Sequence, residues 1–216
     1  MNAPAPSGNS IVNALYGAWR LANFDRSGMA RFNVTADGFW HSFLAAVVGL
    51  PIYIVHVWLE RGAAEAMLTS AGQAPQFDGF YVSAGLAYVL MWPAFALIMI
   101  PLTRIAGVAQ NYAALVIAWN WARIIAMIIR LPVMLMVAYG GLGSTALAVA
   151  LLLTYGLILA YQWYVARVSL SSSGEASGSG AGLAAAAVVL ADIVIGVGIG
   201  ALITLVLGQP IQAVPA

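Results

Sequence analysis

The chain has 216 residues, of which 63% are hydrophobic and 7% charged, with a net charge of +1 and a mean hydropathy of +0.94. Soluble domains carry roughly 25% charged residues, so this composition leaves too little polar surface to cover a soluble core. It also lacks the basic patch that nucleic acid binding needs. With no cysteine in the sequence, disulfides, thiolate metal sites and thiol catalysis are excluded.

The first eight residues, Met1–Gly8, hold Pro4 and Pro6 and are expected to be disordered. After them Ile11, Leu15, Ala18, Trp19 and Ala22 recur at helical spacing, with Asn13, Arg20 and Asn23 elsewhere. That is a short amphipathic helix, which either lies in the headgroup region or packs under a bundle. No cleavable signal peptide is expected, because the first apolar run begins only at Phe39 and is too long for one.

Five apolar runs follow, Phe39–Leu59, Phe80–Leu102, Tyr112–Val137, Thr145–Ala166 and Leu183–Leu207. Each is about 20 residues or longer, enough to cross a hydrocarbon core of roughly 30 Å as a helix. The expected fold is all-α: a polytopic bundle of five spans preceded by the amphipathic helix. Residues 1–38 form the N-terminal segment, 39–207 one membrane domain and 208–216 a tail. Between the first two spans, Gly62–Ala71 is Ala-rich and fits a short helix ended by Gly72 and Pro75. The run Ser171–Gly180 reads as a flexible linker. Pro51, Pro93 and Pro101 imply bent spans, and Pro132 is expected to kink or end the third.

All eight basic residues are arginines. Arg20, Arg26 and Arg31 precede the first span, Arg104 follows the second and Arg167 the fourth. Arg61 stands apart, beside Glu60, Glu65 and Asp78. Positive charge in short loops stays on the cytoplasmic side. The expected topology is therefore N-terminus inside and C-terminus outside, in a bacterial inner membrane. Several of Trp40, Trp58, Trp92, Trp119, Trp121 and Trp163 fall near span ends, as an aromatic belt requires. Trp119 and Trp121 lie deeper and read as packing anchors.

Only Arg123, Arg130 and Asp192 bring ionised groups into the spans. Arg123 and Arg130 are one heptad apart, on nearly the same face of the third span, and Asn120 shares that side. An arginine near the bilayer centre costs at least about 2.5–3.5 kcal/mol on insertion scales. Asp192, on the fifth span, matches Arg123 in depth within a few Å, at 1.5 Å rise per residue, and an Arg123–Asp192 ion pair is predicted. For Arg130 the alternatives are snorkelling to the near surface or approach to His56, Tyr53 or Glu60. The group Asn120, Arg123, Arg130 and Asp192 is thus either an assembly device that fixes helix register or a polar path for an anion or substrate headgroup. In the fifth span, Gly196 and Gly200 carry GxxxG spacing and are expected to pack closely against another helix.

The remaining chemistry is negative. His41 and His56 sit about 22 Å apart along one helix and cannot share a metal. There is no HExxH, P-loop, dinucleotide fingerprint or GxSxG pattern. No catalytic, cofactor-binding or metal-binding residue is assigned, and the chain is not expected to be an enzyme.

The segment Arg104-Ile-Ala-Gly-Val-Ala-Gln110-Asn-Tyr112, leading into Val116-Ile-Ala-Trp119, resembles the short link and third span of the bacterial branch of the Yip1 family. The stretch Trp163–Leu170, the polar linker and the Ala-rich start of the fifth span are similar to that family's last hairpin. The resemblance covers about half the chain and lacks the DLYGP-type signature. It implies a membrane-organising or trafficking role through protein partners, with no catalytic residues. The two readings carried forward are a non-enzymatic scaffold or assembly protein, bound to the bilayer and to a protein partner or a second copy, and a small transporter or channel subunit using the Arg/Asn face.

Overall fold

The computed structural model describes residues 8–140, 143–171, 179–208 and 211–215. Helix α1 (Gly8–Ala22) leads through a 3-10 turn (Arg26–Arg31) into α2 (Ala36–Ser42) and α3 (Leu44–Ser70). Helices α4 (Phe80–Ile105), α5 (Tyr112–Tyr139), α6 (Ser144–Leu170) and α7 (Ser179–Leu207) complete the bundle. Five helical stretches are long and apolar enough to cross a membrane: Ala36–Ser70, Phe80–Ile105, Ala109–Tyr139, Ser144–Leu170 and Gly180–Leu207. The fold is an all-α bundle of a multi-pass membrane protein.

Helix α5 is the axis. It packs along both α3 and α6, while α7 packs between α4 and α6. Its run from Ala114 to Ala122 is buried without a break. Trp119, 1% exposed, stacks on Phe95 of α4 with ring centroids 4.9 Å apart and planes inclined by 8°. Helices α3 and α4 touch little. Two phenols bridge them instead: Tyr53 donates to the Ala84 carbonyl at 2.7 Å and Tyr88 to that of Ala46 at 2.5 Å.

The N-terminal helix packs under the bundle. Tyr161 of α6 donates to the Ala18 carbonyl, and Tyr164 to that of Phe24. Its buried face is Ala14, Gly17, Ala18 and Leu21, whereas Trp19 is exposed. The expected face is therefore rotated, because the 3-10 turn folds back onto α1 where two glycines meet. A Cβ on Gly28 would stand 2.5 Å from the Gly17 carbonyl oxygen, and one on Gly17 2.9 Å from that of Gly28. Asp25 caps the turn through the Ser27 amide and hydroxyl and holds Arg20 Nε at 2.7 Å. The two Ser27 bonds, with the Arg20 charge adding to them, pull the Asp25 carboxyl from 3.8 down to about 2.

Several local expectations are corrected. The first span is interrupted at Phe43, between α2 and α3, and the Ala-rich segment is no separate helix but the continuation of α3 to Ser70. Helix α3 ends before Gly72, which adopts φ +72°. Prolines 51, 93, 101 and 132 all lie inside helices that continue past them. Each removes one hydrogen bond, which packing against neighbouring helices outweighs. The loop after α3 and the tail form a two-stranded antiparallel ribbon, β1 (Gln73–Gln76) with β2 (Gln212–Pro215), in which Gln73 pairs with Pro215 and Gln76 with Gln212. The tail thus meets the α3–α4 connection, at the end of the bundle opposite α1. Gly8 begins α1, so the expected disordered segment otherwise falls on residues 1–7, outside the described residues. Most of the predicted Ser171–Gly180 linker, residues 172–178, lies outside them as well.

Candidate functional site

Helices α5 and α7 start at the same end of the bundle. Arg123 lies about 16 Å into the first and Asp192 about 20 Å into the second, so equal rise brings them level. Their backbones hardly touch, and the gap is spanned by side chains: Arg123 Nη2 donates to Asp192 Oδ1. The two side chains are 11% and 15% exposed. From α4, Trp92 and Phe95 place their ring centroids 5.4 and 5.2 Å from the guanidinium carbon. A cation against two aromatic faces gains about 0.5–2 kcal/mol per contact, more as water is excluded. The Phe95 ring is itself held by Trp119, which fixes the wall against which the guanidinium rests.

Two helical turns on, Arg130 Nη2 donates to Glu60 Oε1 of α3. This pair is more open, with side chains 32% and 45% exposed. Of the alternatives for Arg130, Glu60 is the partner. Tyr53 is engaged with Ala84, and His56 with its own helix, where Nδ1 donates to the Ile52 carbonyl at 2.9 Å. His56 Nε2 and Arg130 Nε are buried with no hydrogen-bond partner.

Between the two arginines lies a cavity of about 290 Å³ to which α3, α4, α5, α6 and α7 all contribute. Its polar groups are Arg123, Arg130, Gln162 and Asp192; Tyr53, Tyr88, Met91, Trp92, Tyr155 and Ile158 form most of its wall. The sequence reading missed Trp92, which faces the Arg123 guanidinium, and Tyr155 and Gln162, which line the same cavity. Gln162 had a signal of its own, as a lone amide within the apolar α6.

Asn120 does not join this group. It is fully buried and donates from Nδ2 to Ser42 Oγ at 2.9 Å, toward α2, while its Oδ1 has no partner. Three residues from Arg123 is about 300° of helix rotation, and the remaining 60° is enough to turn the amide onto a different neighbour. The four predicted polar residues are therefore two ion pairs and a separate hydrogen bond. Gly196 does mark a close contact, since a Cβ there would stand 3.2 Å from Met91 Cε on α4. Gly200 does not: a Cβ there would meet nothing within 4 Å among the described residues.

A second cavity, of about 190 Å³, sits at the α1 end and includes Asn13, Arg31, Asn33, His41, Ser42 and Trp121 in its lining. Among the described residues no group of three or more histidine or acidic side chains could hold a metal ion. No family model matches the chain, and neither a curated protein nor a solved structure is significantly similar to it.

Proposed function

We propose that the chain is a non-enzymatic membrane scaffold or assembly protein acting through helix contacts. The observation that carries this reading is the internal pairing of both intramembrane arginines. A guanidinium paired with a carboxylate from another helix is spent on register: Arg123 ties α5 to α7 at mid-depth, and Arg130 ties α5 to α3 nearer the end. The outer face of α7, with Leu190, Val194, Val197 and Leu205 exposed and Gly198 and Gly200 open beside them, is free for lipid or a partner helix. Arg20, Arg26, Arg31, Arg104 and Arg167 fall toward the α1 end, while Glu60, Glu65 and Asp78 fall toward the other. That asymmetry supports a bacterial inner membrane protein with its N-terminal end inside. The order of elements is that of Yip1-like proteins, and a role through protein partners agrees with it.

The second reading is a small transporter or channel subunit, favoured by the cavity that reaches both arginines. Extraction in mild detergent and reconstitution separate the two. The scaffold reading expects the 22.5 kDa chain to migrate in a larger assembly and to move no solute in proteoliposomes. Anion uptake that is abolished by Arg123→Gln would overturn it.

A further inference from the structure

We propose that the five-helix cavity between Arg123 and Arg130 binds a singly charged anionic group, carboxylate or phosphodiester, joined to an apolar body. Charge sets the first requirement. The lining holds two guanidinium groups and one carboxylate, whereas Glu60, the partner of Arg130, stands outside it. Both guanidiniums are paired, so the two pairs together are neutral; the asymmetry is one of position, since both cations but only one of their carboxylates reach the lining.

Hydrogen bonding sets the second. Each guanidinium has five N–H donors. Arg123 gives one to Asp192 and Arg130 one to Glu60, which leaves further N–H groups on both lining guanidiniums. The phenols of Tyr53 and Tyr88 have committed their protons to backbone carbonyls of the α3–α4 pair, so they present rings rather than donors. An anionic acceptor suits those remaining donors.

Shape sets the third. At about 290 Å³ the space is at the lower bound of ligand cavities, roughly 300–1,000 Å³, and holds a headgroup or a small acid rather than a whole lipid. Met91, Trp92, Met127 and Ile158 offer it an apolar surface. A free ion such as phosphate has no apolar part to meet that surface.

Binding to the full-length protein in a neutral detergent, read by native mass spectrometry and calorimetry, tests this with two probes. Phosphatidylglycerol represents a lipid headgroup and octanoate a free amphiphilic acid; phosphatidylcholine, without net charge, is the control. Saturable binding of phosphatidylglycerol over the control, weakened at least ten-fold by Arg130→Gln, supports the site with a lipid as its source. Saturable binding of octanoate alone, weakened likewise, supports it with a free acid. Ala87→Phe, which fills the cavity from α4 and leaves both ion pairs in place, should abolish either. Binding of neither probe to the folded wild-type protein, or binding undiminished in Arg130→Gln, overturns the proposal.

Discussion

Removing Asp192 tests the energetics of the bundle most directly. In Asp192→Ala, Arg123 keeps its charge at mid-depth with its side chain only 11% exposed in the intact pair. Breaking a buried pair from one side costs about 3–5 kcal/mol, because the remaining charge is uncompensated. Two features of the site move the expected value to the lower end. Trp92 and Phe95 still face the guanidinium, retaining about 0.5–2 kcal/mol each, and the cavity beside it has room for water. The expected loss is about 3 kcal/mol, roughly two orders of magnitude in the folded-to-unfolded ratio. Replacing both partners by apolar residues, Arg123→Met with Asp192→Leu, removes the charge and its counter-charge together and should be close to neutral. The double variant must then be far more stable than the sum of the two single losses. Unfolding equilibria of wild type, both single variants and the double variant, measured in mixed detergent micelles, give this coupling. Strict additivity across the cycle would refute the assignment of Arg123 and Asp192 as an energetically linked pair.

Three further outcomes are expected. Glu60→Gln should cost no more than about 1 kcal/mol, with a loss that shrinks at high salt, because the pair it breaks is 32% and 45% exposed; a loss near that of Asp192→Ala in the same assay would contradict the difference in burial. Gly38→Ala should destabilise the α2 entry by about 1–3 kcal/mol, since its Cβ would stand 1.8 Å from the Asn33 carbonyl oxygen and the Thr35 cap onto the Gly38 amide would be displaced; unchanged stability would mean the Asn33–Gly38 turn moves freely. Asp25 titrates near pH 2 rather than 3.8, so its folded-state value is depressed and its contribution to the Arg20–Ser27 turn is full above about pH 4 and fades as the pH falls toward 2. The carboxyl resonance of Asp25 should show that midpoint, and a normal carboxylate titration would mean the Ser27 bonds do not hold in solution.

The spans were legible because hydropathy over about 20 residues leaves few alternatives. The pairing of Arg123 with Asp192 was legible for a simpler reason: there was a single acid at the right depth, on a helix running in the same direction. Arg130 offered three candidates at similar depth, and only the positions of α3 and α4 decide among them, because Tyr53 and His56 are occupied by backbone carbonyls. Other features had no local signal. The break at Phe43 falls in an apolar stretch that reads as continuous helix, and the ribbon pairs four-residue segments from distant parts of the chain. Gly200 shows the limit of a spacing motif. Small residues permit a close approach but do not supply the helix that makes it, and α7 finds α4 through Gly196 and Met91 instead.

The separation of Asn120 from the arginines bears on function. A continuous polar path through the bundle would place Asn120, Arg123 and Arg130 along one wet seam. The amide instead turns from Arg123 and closes on Ser42 of α2, and its neighbours Trp119 and Trp121 are almost fully buried. The five-helix cavity is lined by Arg123 and Arg130 of α5 but not by Asn120. The smaller cavity at the α1 end shares no lining residue with it, and the buried run Ala114–Ala122 lends Ile117 and Trp121 to the smaller one. The two ion pairs tie α5 to α7 and to α3, and Asn120 ties it separately to α2.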